Sequence, residues 1–432
     1  MAGLRGIAVP AAALAAVVLL TANRLQAGAD WPQFRGPGGQ GVSDERDLPV
    51  QWGEAQGVAW KVPVAGLGWS SPVVAGGRVW LTTSGGNRDA SLRLLAFDAA
   101  TGRRVLDTEV FSIPRAQLLN AKNSLASPTP IVDGDRVYVH FGSEGTAAVS
   151  LSGEVLWKTQ LAHETQHGNG GSPVLYHDLL IVNCDGFDQA YVVALDTKTG
   201  KPRWKTSRRR PWSQAYSTPL VVRSGDRDLL ISVGAFRTVA YDPLTGGEVW
   251  QVSYGDGFSN VPRPVAGHGL VYLATGFQQP SLMAVRLGGA GDVTKTHVAW
   301  TLSRGAPLTP SPVLAGDELY VVTDTGVASC VDARTGRVLW QQRMTGNFSA
   351  SPVAADGRVY FQSEEGETTV IAAGPVFRRL AVNALDGAML ASLAVSGGAI
   401  FIRTDTHLYR ISRQAPVASV ATRWRRASAA RR

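Results

Sequence analysis

The sequence predicts an all-β fold, a ring of eight four-stranded blades, on three observations. A turn phrase with a docking tryptophan recurs along the chain. A second phrase, Ser-Pro-Val followed by a Gly-rich turn, recurs at a regular spacing. The last repeat lacks a strand that the first repeat has to spare. The first phrase reads Ala194–Trp204, with Asp196, Thr199 and Gly200 at fixed offsets. Asp at that position accepts hydrogen bonds from the backbone two residues on and nucleates a turn, while Gly supplies a positive φ. The phrase returns at Ala240–Trp250, at Cys330–Trp340 with Cys for Ala, and at Ala96–Leu106 with Leu for Trp. At Ala148–Trp157 it is one residue shorter. Such self-similarity fixes the architecture before any other consideration.

The second phrase marks the first strand, a, of each unit. It starts at Ser71-Pro72, Ser127-Pro128, Ser172-Pro173, Thr218-Pro219, Arg263-Pro264, Ser311-Pro312 and Ser351-Pro352, with a proline-free copy at Ser392-Leu393. Proline is tolerated at a strand start, where no ladder N–H is needed. Intervals of 40 to 56 residues between copies fit one propeller blade each, with insertions. Strand b is of the Arg136–His140 type, strand c runs into the Asp-x-x-Thr-Gly turn, and strand d carries the Trp. Unit 5 departs, with Arg286 for the Asp and Gly288–His297 inserted before Trp300. Unit 7 has Phe377–Asn383 where the turn and strand d belong. The eighth unit ends at His407–Ile411 without a strand d, and the strand around Trp60 has no partners before it. Joining them closes the ring and removes two unpaired edges.

These units place the propeller at residues 58–411, after an irregular Gly/Pro-rich segment at 30–57 and before a basic, disordered tail at 412–432. Residues 1–29 have the form of a secretory signal: Arg5, an apolar run from Ile7 to Leu20, and a small-residue site ending at Ala29. That run is short for a membrane helix. The expected location is periplasmic or secreted, with no transmembrane domain in the mature protein. No Cys stands near the site to take a lipid, and no twin-Arg pair is present. The formal charge of +8 belongs mainly to the ends; without Arg5, Arg24 and the five arginines from Arg423 to Arg432 it is +1. The body therefore lacks a nucleic-acid footprint. The run Arg208–Arg210 reads as solvated. Cys184 and Cys330 fall three repeats apart, too far for a disulfide in a large ring, and read as buried thiols.

The docking phrase resembles the tryptophan-docking motif of the PQQ-like β-propeller repeat proteins, over about 350 of the 432 residues. Eight-bladed outer-membrane assembly factors are among that family. The resemblance implies that Trp60, Trp157, Trp204, Trp250, Trp300 and Trp340 lock blades together, with Ala194, Ala240 and Cys330 as their small partners. These are structural roles, and the fold hosts many functions. The resemblance also raises a pyrroloquinoline-quinone (PQQ) dehydrogenase of sugars or alcohols. Such enzymes set the quinone between a Trp and an adjacent-cysteine disulfide, beside calcium. This chain has no adjacent cysteines and no evident Glu/Asn/Asp set, so no cofactor is expected, with PQQ as the alternative.

Two metal patterns are also present. His163–His167 fits H-E-x-x-H, which needs a helix to bring both histidines to one face. The run Gly168–Gly171 follows at once, so a loop is expected. Asn183–Asp188 has two clustered carboxylates, fewer than a calcium loop uses, and reads as a polar turn. Binding is the sharper expectation. The d-to-a connections share one face and carry Asn120, Lys122, Asn123, His163, His167, Asn169, Tyr216, Asn260, Arg263 and Asn347. Loops converging on a rigid ring form a binding surface. The expected function is a non-enzymatic, monomeric scaffold for a protein or peptide partner in the cell envelope.

Overall fold

In a computed structural model, residues 29–86, 89–114, 119–208, 214–278 and 280–413 are described. The expected signal segment, but for Ala29, and most of the expected basic tail lie outside them. The described chain forms eight blades of four antiparallel strands arranged as a propeller, two of them extended by a short parallel fifth strand. Blade 1 begins at strand Val73–Ala75, and the next blades at Ile131–Asp133, Val174–Tyr176, Leu220–Ser224, Val265–Gly267, Val313–Ala315, Val353–Ala355 and Ala394–Ser396. Strands b and c are buried on both faces, because the apolar core lies between neighbouring blades. The ring closes as expected: Val58–Pro63 pairs antiparallel with His407–Ser412 as strand d of blade 8.

In blade 2 the register differs from expectation by two residues. Strand a starts after Thr129-Pro130, not after Ser127-Pro128. The stretch contains two overlapping Ser/Thr-Pro pairs, and the pair adjoining the strand is the one that joins a ring of hydrogen bonds. Around the axis, in six blades, the amide of the residue before the proline donates to the hydroxyl of the next blade. Ser71 donates to Thr129, Thr129 to Ser172, and Ser172 to Thr218, at 2.8–2.9 Å. Arg263 donates to Ser311, Ser311 to Ser351, and Ser351 to Ser392, at 2.9–3.0 Å. At the seam between blades 8 and 1, Arg403 donates to the Ser70 carbonyl and hydroxyl and to the Thr82 carbonyl.

Five of the six docking tryptophans donate their indole N–H across to the next blade. Trp157 donates its indole N–H to the Thr197 carbonyl, Trp204 to Pro243 and Trp300 to Ala333, each in the c–d turn of the following blade. Trp60 does the same to Ala99, so the closing seam is locked like the others. Trp340 reaches Gly374. Trp250 is buried, yet its N–H has no acceptor among the described residues. The cause is the insertion in unit 5: Gly291–Asp292 adds in parallel to the edge of blade 4, with Gly291 opposite Trp250. The turns themselves are held by Asp. The hydroxyl and amide of Thr101 hold the Asp98 carboxyl below the usual carboxylate range.

Gly200 has φ of 69°, and a Cβ there would run into the ring of Trp157. Gly200→Ala should therefore cost about 2–3 kcal/mol, from the left-handed backbone and the overpacked contact together. Urea unfolding checks this, with Gly225→Ala as comparison, since nothing lies within 4 Å of a Cβ at Gly225, whose φ is 62°.

The segment 30–57 is mostly irregular but not peripheral. Residues 31–43 run through the centre of the ring. Trp31 exchanges backbone hydrogen bonds with Val74 of blade 1, and the Pro32 carbonyl accepts from Val132 of blade 2. Gln40 accepts from the amide of Ala266 in blade 5, and Val42–Ser43 pairs in parallel with strand a of blade 7. Arg35 reaches the Pro312 and Pro352 carbonyls of blades 6 and 7. The chain then crosses the far face and climbs blade 7, where Trp52 donates its amide to the Asn383 side chain.

Candidate functional site

An apolar-lined opening lies on the face of the d-to-a connections. It is a cavity of about 500 Å³ on the ring axis. Phe34, carried by the axial segment, forms its floor. The wall is the ring of hydroxyls that links the blades, Ser71, Thr129, Ser172, Thr218, Ser311, Ser351 and Ser392. Because six of these seven hydroxyls, all but Ser71, already accept a neighbour's amide, the wall is largely spent as an acceptor surface.

Above it the lining becomes aromatic. Trp69, Tyr216, Phe258 and Phe277 face the cavity. Phe258 and Phe277 meet edge to face at 5.7 Å, and the Phe277 amide donates to the Phe258 carbonyl. Phe277 remains 55% exposed, a large apolar side chain held in water by its backbone. Ser259 and Gln278, beside this pair, have φ of 53° and 71°. Left-handed backbone at non-glycine residues persists only where the surroundings hold it.

The rim is polar. The connection entering blade 2 arches across the mouth, and its Lys122 pairs with Glu364 of blade 7 at 2.9 Å. Asn123 donates to the His167 carbonyl at 2.6 Å and fastens that arch to the next connection. Asp324 lines the opposite side, with its carboxylate accepting from the amides of Leu308 and Thr309.

Of the expected binding residues, the structure brings Asn120, Lys122, Asn123, His167 and Tyr216 together in this lining. The other five are elsewhere. His163 is buried, its Nδ1 2.7 Å from the Leu161 carbonyl and its ring edge-on to Tyr191. Asn169 packs against Gly142. Asn260 is buried and donates to the Gly234 carbonyl. Arg263 lies beneath the floor and donates to the Phe34 carbonyl. Asn347 is exposed and donates to Glu365.

His163 and His167 thus point to different places on a stretch without helix. Asp185 is buried against Arg208 at 2.6 Å, and Asp188 accepts the amide of Glu164. No group of three His, Cys, Asp or Glu able to hold a metal occurs among the described residues. The same ion pair corrects the expectation of a solvated arginine run, since Arg208 bridges blades 3 and 4 through Asp185 and Ser232. Arg209 and Arg210 lie outside the described residues. Both cysteines are buried free thiols, and desolvation pushes each up to about 12.

Phe34, Trp69, Phe277 and Asp324 were not expected. Phe277 and Asp324 sit on b-to-c connections, which open on the same face as the d-to-a connections. Phe34 comes from the axial segment, which follows no repeat.

The family model described as outer membrane protein assembly factor BamB matches residues 40–233 and 289–390. The chain is 26% identical over 256 residues to outer membrane protein assembly factor BamB of Burkholderia pseudomallei, covering 55% of this chain and 60% of that one. It is 27% identical over 205 residues to the Yersinia pestis protein of that name, covering 42% and 49%. The matches thus span about half the length of these relatives, from 49% to 60%. Among solved structures, BamB from Moraxella catarrhalis superposes with a TM-score of 0.61 at 14% identity, over 82% of this chain and 97% of that one. The quinohemoprotein alcohol dehydrogenase from Comamonas testosteroni superposes with a TM-score of 0.66 at 11% identity, over 90% and 82%. At such identities these likenesses speak for the fold alone.

Proposed function

The chain belongs to the family described as outer membrane protein assembly factor BamB, and from that premise we propose that it is a non-enzymatic scaffold of the bacterial envelope that binds a protein partner in outer-membrane protein assembly. Its working location is the periplasm. The funnel is its binding surface, and the partner contributes an extended or looped segment with apolar side chains. The observation that carries this is the aromatic set above the hydroxyl ring. Phe258 and Phe277 are kept partly in water by mutual backbone pairing, and a polar rim surrounds them. An apolar centre inside a polar rim is the anatomy of a protein interface.

The donors in the funnel do not fit PQQ with a cation. Asp324 is engaged by two amides, and Glu364 by Lys122 and the Ser349 hydroxyl. The likeness to a quinohemoprotein dehydrogenase therefore supports the ring and not its chemistry.

The test is capture of envelope proteins on the immobilised mature domain. The double variant Phe258→Ser, Phe277→Ser should reduce recovery of an outer-membrane assembly component at least about tenfold, the loss expected for two central aromatic anchors. Unchanged recovery would move the interface to another surface. Dye-linked oxidation of sugars or alcohols on adding quinone and calcium, lost in the same variant, would overturn the scaffold reading.

A further inference from the structure

Beneath the floor of the funnel, two arginines are fully buried side by side. Arg35 comes from the axial segment, and Arg263 replaces the Ser or Thr that every other blade places before strand a. Neither has an ion-pair partner among the described residues. Arg35 donates to the carbonyls of Gln40 at 2.8 Å, Pro312 at 2.6 Å and Pro352 at 3.3 Å. Arg263 donates through Nη1 to the Phe34 carbonyl at 2.8 Å. The Nε of each is buried without an acceptor among the described residues.

The axial segment is shaped around both guanidinium groups. A Cβ on Gly39 would stand 2.5 Å from Nη1 and Nη2 of Arg263, and one on Gly41 would collide with Arg35. Both glycines have positive φ, 66° and 78°. The turn from Gly36 to Gly41 therefore wraps closely around two like charges, with glycine at the two points of nearest approach.

An arginine stays protonated at any ordinary pH, so this pair cannot escape its charge by losing protons. Desolvation, joined in Arg35 by repulsion from Arg263, lowers both groups to about 9, which still leaves them charged at neutral pH. Buried charge is costly unless it is paired. Carbonyls partly meet that need for Arg35. Arg263 has one carbonyl for five N–H donors.

We propose that the axial channel binds a small inorganic anion, chloride or one of similar size, between Arg35 and Arg263. The anion would fasten the N-terminal segment to the ring, since one arginine belongs to each. The site lies below the funnel and is independent of the partner that the funnel takes.

Crystals of the full chain grown in sodium bromide test this directly. Anomalous scattering at the bromine edge should give a peak within hydrogen-bond reach of both guanidinium groups, absent in Arg263→Gln. In solution, Tm should be about 2 °C or more higher in sodium chloride than in sodium gluconate at equal ionic strength. Arg263→Gln should remove that difference. If Arg263→Gln does not fold, the wild-type bromide map and salt comparison still decide. No peak and equal Tm in both salts would overturn the site. A peak with equal Tm would keep the site and overturn its fastening role.

Discussion

Trp52→Ala is expected to lower the unfolding free energy by about 3–5 kcal/mol, the range for deleting a buried aromatic side chain. The size of this effect follows from what Trp52 replaces. In four blades an indole from strand d lies beside a Tyr or Phe of strand b. The pairs are Tyr138–Trp157, Tyr272–Trp300, Tyr320–Trp340 and Phe401–Trp60, with centroids 5.9–6.2 Å apart. Blade 7 has Tyr360 in strand b but Ala381 at the Trp position of strand d, opposite Val370. Trp52 of the N-terminal segment stacks on Tyr360 at 6.4 Å and is 6% exposed. It thus supplies from outside the repeat the indole that blade 7 lacks. The Tyr360 hydroxyl and the Asn383 amide donate to the Pro49 and Val50 carbonyls on either side.

Urea titration of the full chain measures the loss as a fall in midpoint at unchanged m. Trp52→Phe keeps the stacked ring and should recover most of the loss. Hydrogen exchange separates this account from a general weakening. The amides of Thr368–Ile371 in blade 7 should lose protection first, while those of Val192–Leu195 in blade 3 keep theirs. Equal loss in both blades would mean that Trp52 is not the local lock of blade 7.

The ring was legible because docking depends on residues at fixed offsets. Asp98, Asp196, Asp242 and Asp332 each hold a turn through amides two or three residues on. That requirement writes itself into the chain every time it is met. The register of blade 2 was not legible, because Ser127-Pro128 and Thr129-Pro130 satisfy the same local pattern. Only the bonds across the blades distinguish them, from the Ser71 amide to the Thr129 hydroxyl and from the Thr129 amide to the Ser172 hydroxyl. The axial segment escapes the repeat altogether. Its contacts with Pro312 and Pro352 join residues some 300 positions apart.

The funnel was half legible. Connections between blades declare themselves by position, which gave Asn120, Lys122, Asn123, His167 and Tyr216. Whether a loop residue faces the axis or the core depends on packing. Asn260 and His163 turned inward for that reason. Arg263 did carry a signal, as the one arginine in a column otherwise Ser or Thr at 71, 129, 172, 218, 311, 351 and 392.

Acid should destabilise the ring through His140, by about 2–3 kcal/mol between pH 7 and pH 4.5. His140 ends strand b of blade 2 and is fully buried. Its Nδ1 lies 2.8 Å from the Thr146 hydroxyl, and its Nε2 has no acceptor among the described residues. Desolvation, helped by repulsion from the neighbouring His163, lowers it from 6.5 to about 3. Between those values the unfolded chain binds a proton that the folded ring refuses. Stability is therefore intact above pH 6.5 and falls steadily as the pH drops toward 3. Burial lowers His163 in the same direction, so the two losses add. Most carboxylates titrate below pH 5, and burial pushes Asp185 up to about 6 with the opposite sign, which makes the change of slope between wild type and the His140 variant the informative quantity. Between pH 6.5 and 5 Asp185 is the buried carboxyl that also changes charge, so Asp185→Asn is the background: there the urea midpoint should fall over this interval, and adding His140→Gln should flatten that fall even if the protein is less stable at pH 7. A midpoint constant across that interval in the Asp185→Asn background would show that the ring can admit the proton, and that the pocket around His140 is not dry.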